Sequence, residues 1–169
     1  NNIGYEGLAV DSNYFYLGLE GFQNDTAFEA ETIILIADKK SNEIIKKINT
    51  KELGIHTICG LVSDKPYSLW GIDRNSRKVF HLNFDSKLNV TSSKLINFVS
   101  AIPGYKEKSY VSAIESITID NENNIYLVDD PWKRFYVPPE KTLNKLDEIT
   151  INNFKNFIPI IYKLNLKID

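Results

Sequence analysis

Carboxylates recur at matching places along this chain, and they are the side chains best suited to chemistry. Glu6, Glu20, Asp73, Glu115, Asp129 and Asp130 stand at the starts or ends of short apolar runs. Carboxylates that converge repel one another unless a cation or a proton compensates them. Hard oxygen donors suit Ca²⁺ or Mg²⁺. Glu6, Glu20, Glu115, Asp129 and Asp130 are therefore candidate metal ligands, with Ca²⁺ as the expected ion. A metal held there would polarise a substrate oxygen and activate water, which makes Glu6 and Glu115 candidate catalytic residues. The plainer alternative is a solvated polar mouth whose acids never meet.

Cations and aromatics lie close to these acids in sequence. Arg74 follows Asp73, and Trp132 and Arg134 follow Asp130. Arginine suits bidentate contact with phosphate or carboxylate. Arg74 joins the catalytic candidates on that ground, and Asp73, Trp70, Trp132 and Arg134 are the candidate ligand-binding residues. The competing reading makes Arg134 a solvated loop residue and the aromatics anchors for their loop. His56 and His81 have no metal-ligand spacing. A Cys59–His56 nucleophile pair is chemically allowed, but a thiol at a strand start is more often a small buried filler. No nucleophile elbow, phosphate loop or dinucleotide fingerprint occurs.

The elements that must position these residues are strands. Period-2 and short apolar runs dominate, bounded by Asn, Asp, Ser, Gly and Lys. They predict strands over 7–10, 15–19, 32–37, 43–48, 58–63, 68–72, 79–84, 94–98, 114–119, 125–128 and 160–166. Only 142–156 hints at helix, through the spacing of Leu143, Leu146 and Ile149. A repeat organises the strands. EGLAVD (6–11), CGLVSD (59–64) and ESITID (115–120) lie 53 and 56 residues apart. Each hexad is followed by a turn and a second strand, FYLGLE (15–20), LWGID (69–73) or IYLVDD (125–130), and then by a third. Antiparallel strands repeating every 50 or so residues are the signature of propeller blades, each of which buries its two apolar faces only by stacking between neighbours. The expectation is an all-β partial β-propeller of about three antiparallel blades, with a β-sandwich as the alternative. The blades would span 1–50, 51–108 and 109–169, with an insertion at 131–159. In a blade the start of strand 1 and the end of strand 2 share a rim. This pairs Glu6 with Glu20, Cys59 with Asp73, and Glu115 with Asp129 or Asp130. Closed propellers hold about four to eight blades. Three blades would need a second copy, or the remainder of a longer propeller, to complete them.

Composition narrows the classes. Twenty basic against 22 acidic residues in 169 give a net charge of -2 and no basic field for nucleic acid. No apolar run approaches the roughly 20 residues that cross a bilayer as a helix. Hydrophobic residues make up 43%, which supports a packed core. The single cysteine, Cys59, excludes an intrachain disulfide. The chain opens at the approach to a strand and without Met, so a leader or upstream region is expected to have been removed.

GYEGLAVD (4–11) followed by YLGLEG (16–21), and IESITID (114–120) with NIYLVDD (124–130), carry a resemblance. They resemble the β-propeller family named for the esterase-like activity of phytase, with Ser116 where that family has Gly. The match covers about a third of the chain, and its motifs recur in calcium-binding lactonase-like propellers. The resemblance implies an exported protein, extracellular or periplasmic, with ester or phosphoester hydrolase activity. The competing function is a non-catalytic propeller that binds a small molecule or a protein across its rim. A fold shared by many functions does not decide between them.

Overall fold

A computed structural model describes residues 4–20, 32–98, 113–131 and 136–164. All eleven expected strands are present. They are β1 (Tyr5–Val10), β2 (Tyr14–Leu19), β3 (Ile33–Asp38), β4 (Ile44–Asn49), β5 (Ile58–Lys65), β6 (Ser68–Asp73), β7 (Lys78–Phe84), β8 (Val90–Asn97), β9 (Ala113–Ile119), β10 (Ile125–Asp130) and β11 (Ile161–Leu164). They form three antiparallel sheets in the orders β1-β2-β3-β4, β5-β6-β7-β8 and β11-β10-β9. Every pairing joins neighbours in sequence, so each sheet is a meander, and the fold is all-β. Two facing sheets, the sandwich alternative, do not describe this strand order. Among the described residues no strand of the first sheet pairs with one of the third.

The hairpins turn on aspartates. Asp11 Oδ1 accepts from the backbone N–H of Asn13 and Tyr14, each at 2.7 Å. Asp120 Oδ1 does the same for Glu122 and Asn124. Asp38 and Asp85 repeat the pattern at the β3–β4 and β7–β8 turns. A short acidic side chain that bonds its own turn is why Asp serves here. Asn42 and Asn123 take the left-handed positions that Asn tolerates, while Leu88, Tyr67 and Arg77 hold the same backbone region without that help.

The sheets stack in chain order. β5 lies against β1 and β2, and β9 against β5 and β6. Ala9, Tyr16, Ile34, Ile36, Leu61 and Phe80 fill the space between the first two sheets. Trp70, Ile72, Val79, Ile117 and Leu127 fill that between the second and third. Two glycines make room for the next sheet, Gly7 for a side chain and Gly60 for a backbone. A Cβ on Gly7 would lie 2.7 Å from Leu61 Cγ, and one on Gly60 would lie 3.0 Å from the Glu115 carbonyl oxygen.

The expected single helix is two. α1 covers Glu140–Leu143 and α2 covers Glu148–Lys155. Asp147 breaks them apart with extended backbone and caps α2, its Oδ1 accepting from Thr150 N–H at 2.9 Å. The spacing of Leu143, Leu146 and Ile149 therefore never forms one face. Leu143 packs with Tyr136 and Phe154 in a small separate core, and Ile149 is exposed. No described helix is long and apolar enough to cross a membrane.

Candidate functional site

Three β-bulges build the site. On β1 the pairing steps from Tyr5↔Leu19 to Gly7↔Gly18, leaving Glu6 as the extra residue. On β5 it steps from Ile58↔Asp73 to Gly60↔Ile72, leaving Cys59. On β9 it steps from Ile114↔Asp129 to Ser116↔Val128, leaving Glu115. A bulge re-aims one side chain and sharpens the local twist. Repeated at the same place in three stacked sheets, it brings one donor atom from each of Glu6, Cys59 and Glu115 within 4.8 Å of the others. The aligned hexads mark these three positions as equivalent. The bulges themselves leave no mark in the sequence.

Arg74 enters this cluster from the turn after β6. Its guanidinium bridges Glu20 of the first sheet and Glu115 of the third, so one residue of the second sheet ties all three together. Burial works against its charge, but the facing carboxylates of Glu115 and Glu20 outweigh burial and raise its pKa. The Glu20 side chain is only 3% exposed. Burial above all, then the neighbouring carboxylates of Glu6 and Glu115, push its pKa up to about 7 against the pull of Arg74. Cys59 is buried, and burial followed by Glu115 drives its thiol well above the usual range. The thiol is thus neutral, the opposite of an activated nucleophile. Among the described residues, the carboxyl groups of Glu6, Glu20 and Glu115 gather around one guanidinium.

The strand register redraws the expected pairing of rim acids. The β1–β2 hairpin is one residue shorter than its counterparts, since Ala9 pairs Tyr16 whereas Val62 pairs Trp70 and Thr118 pairs Tyr126. Glu20 therefore corresponds to Arg74 and Asp130, and Leu19 to Asp73 and Asp129. Asp73 is fully buried, and its Oδ2 accepts from His56 N–H at 2.8 Å while Oδ1 accepts from Ser76 N–H at 3.1 Å. Asp129 accepts from Ile160 N–H at 2.7 Å and from the Tyr162 hydroxyl at 3.3 Å. Burial, only partly offset by these bonds, pushes its pKa up to about 6. Both aspartates hold connecting chain in place, and the converging donor set is Glu6, Cys59 and Glu115 without them. Asp130 is exposed at the end of β10. Trp70 lies three residues along β6 from Asp73, buried between sheets and stacked on His81 with ring centroids 4.0 Å apart. Trp132 and Arg134 fall outside the described residues.

Comparison with known proteins adds one finding. No family model matches the chain, and no curated protein matches it. Among solved structures, a luciferin-regenerating enzyme is similar to it at a TM-score of 0.49 and 14% identity, over 72% of this chain and 38% of that one. The chain thus spans 38% of the length of the structure it matches.

Proposed function

We propose that the three stacked sheets are blades of a β-propeller, and that the bulge cluster at their rim binds a divalent cation in the service of ester or phosphoester hydrolysis. The observation that carries this reading is the convergence of Glu6, Cys59 and Glu115 within 4.8 Å, each from the matching bulge of its sheet. Among the described residues, the surplus of carboxyl groups over guanidinium supports it, because an added cation relieves the repulsion.

The donor chemistry discriminates among ions. Ca²⁺ takes about six to eight oxygen ligands. The cluster offers the carboxylates of Glu6, Glu20 and Glu115, two of which already engage Arg74. Two carboxylates and a thiol suit Zn²⁺ better, with a fourth position left open as in catalytic sites. Glu6, Cys59 and Glu115 would hold it, and the Cys59 proton would leave on binding. A bound divalent ion supplies Lewis acidity and a water of lowered pKa. The chain supplies the rest. Arg74, with 23% of its side chain exposed, can fork onto an anionic substrate oxygen. Glu20, with its pKa near 7, can hold or release a proton at neutral pH. Export to an extracellular or periplasmic space belongs to the same reading.

Calorimetric titration with Zn²⁺ and with Ca²⁺ tests the site. One-site binding of Zn²⁺ tighter than Ca²⁺ is expected, lost in Glu6→Gln and Glu115→Gln and weakened for Zn²⁺ alone in Cys59→Ser. If neither ion binds, the metal reading is wrong. If an ion binds but no nitrophenyl ester or phosphate ester is hydrolysed in a chelator-sensitive way, the hydrolase reading fails alone. The Arg74 bridge specifically favours a second reading, a non-catalytic module in which the guanidinium is itself the compensating cation.

A further inference from the structure

The second sheet gives the cluster Cys59 and Arg74, and one carboxyl group holds the chain beside both. Arg74 opens the turn between β6 and β7, directly after Asp73. Cys59 is the bulge residue of β5, next to Ile58, which pairs with Asp73. Asp73 is wholly buried. Its Oδ1 accepts from Ser76 N–H at 3.1 Å, inside the turn that carries Arg74. Its Oδ2 accepts from His56 N–H at 2.8 Å, in the chain that runs into β5 and Cys59.

The matching aspartate of the third sheet separates what is general here from what is particular. Asp129 Oδ1 accepts from Ile160 N–H in the chain that runs into β11, as Asp73 Oδ1 accepts from the chain that runs into β7. Holding the approach to the next strand is a duty both share. The second oxygen differs. In Asp129 it takes the Tyr162 hydroxyl of β11. In Asp73 it reaches back to the approach to β5. The His56 peptide is gripped from its other side too, because its carbonyl accepts from the Thr32 hydroxyl at 2.7 Å. Thr32, at the approach to β3, is itself fixed, its carbonyl accepting from the buried Thr50 hydroxyl at 2.9 Å. A run of hydrogen bonds thus crosses from the first sheet through His56 to Asp73. Such a network keeps one arrangement, since each unmade bond would leave a desolvated group unpaired.

We propose that Asp73 is the positioning residue of the bulge cluster. By holding Ser76 and His56 at once, it sets Arg74 and Cys59 relative to each other, and so to the glutamates of the neighbouring sheets. The inference deepens the metal reading and rests on it only for the effect on an ion. The placement of Arg74 and Cys59 stands without one.

Asp73→Asn tests it. The amide keeps the size of the side chain but accepts through its oxygen alone, so one of the two N–H groups loses its partner. Cys59, the one thiol of the chain, reports its own placement. Labelling by a soluble disulfide reagent is expected to follow global stability in the wild type and in Tyr16→Phe, which is weakened at the other end of β1. In Asp73→Asn it should run about tenfold or more faster than stability in urea accounts for, the mark of a local opening. Asp73→Asn should also cost less in the Arg74→Ala background than in the wild type, as coupled residues do. Zn²⁺ should bind Asp73→Asn about tenfold or more weakly, as when a group that orients a ligand is lost, and Tyr16→Phe with wild-type affinity. Labelling that tracks stability in Asp73→Asn overturns the proposal, as do strict additivity with Arg74→Ala and, where the wild type binds Zn²⁺, an unchanged affinity. A wild type that binds no Zn²⁺ sinks the metal reading alone, and labelling and the double-mutant comparison still decide this one. Should Asp73→Asn not fold, Thr32→Val releases the same His56 peptide from its other side. A selective rise in labelling there supports the proposal, and labelling that tracks stability overturns it.

Discussion

Without Arg74, the carboxylates of Glu6, Glu20 and Glu115 would face one another beside a neutral thiol. Glu20 is almost wholly buried, so its charge would lose its partner without gaining water. Breaking a buried ion pair from one side costs roughly 3–5 kcal/mol. The partial exposure of Arg74 lowers the expectation for Arg74→Ala to about 2–3 kcal/mol in urea unfolding. Arg74→Lys should recover only part of this, because an ammonium lacks the fork that reaches two carboxylates at once. An unchanged midpoint in Arg74→Ala would mean the bridge contributes little to joining the sheets. At this scale the sequence was informative where the repeat was strict. Aligning the hexads makes Glu6, Cys59 and Glu115 equivalent. The acids across the hairpin were harder to place, because the shorter β1–β2 hairpin shifts Glu20 from the register of Asp73 to that of Arg74. Nothing in the spacing from hexad to acid reports a hairpin that is one residue short.

Within the sheets, one position shows how an element closes on its turn. Tyr16, Trp70 and Tyr126 occupy matching places, opposite Ala9, Val62 and Thr118. The Tyr16 hydroxyl donates to Asp11 Oδ2 at 2.8 Å and that of Tyr126 to Asp120 Oδ2 at 3.0 Å. In the second sheet the indole Nε1 of Trp70 has no partner among the described residues, and its ring stacks on His81 instead. Tyr16→Phe should cost about 1.5–3 kcal/mol, the worth of a hydrogen bond to a charged group, with an unchanged urea m-value. A loss of only a few tenths would show that the turn holds without it. Asp129 makes an element-scale prediction about pH. Its folded pKa of about 6 lies above its ordinary 3.8, so protons bind the native state more tightly. The stability linked to it is complete below pH 3.8 and lost as pH rises through about 6. The melting temperature of Asp129→Asn relative to wild type should therefore rise between pH 4 and pH 7, and a flat difference would refute the shift. Strands were legible because alternation and Asp-rich turns coincide. The helices were misread as one, since Asp147 stops the periodicity before Ile149 and its role as a cap appears only in the backbone.

At the scale of the whole molecule, the two terminal sheet faces are unequal. The front of the first sheet, the face turned away from the second, carries Leu8, Val10, Phe15, Leu17 and Leu35 and ends on Lys47 and Asn49 of β4, while the back of the third, also turned away from the second, mixes Ser116, Thr118 and Lys163 with Val128 and Ile161. The hexads place Leu8, Leu61 and Ile117 at matching positions. Among the described residues, Leu61 and Ile117 enter a space between sheets and Leu8 does not. Leu61 is 6% exposed and Leu8 65%. Stacking thus gives one residue type, at one place in the repeat, two energetic roles. Truncating a buried leucine forfeits its transfer free energy and leaves a cavity, so Leu61→Ala should cost about 2–5 kcal/mol in urea unfolding. Leu8→Ala removes a side chain that is already mostly in water, and it should cost about 1 kcal/mol or less. A loss at Leu8 as large as that at Leu61 would show that residues outside the described ones cover the front of the first sheet in the folded protein. The place of a sheet in the stack would then not set the cost.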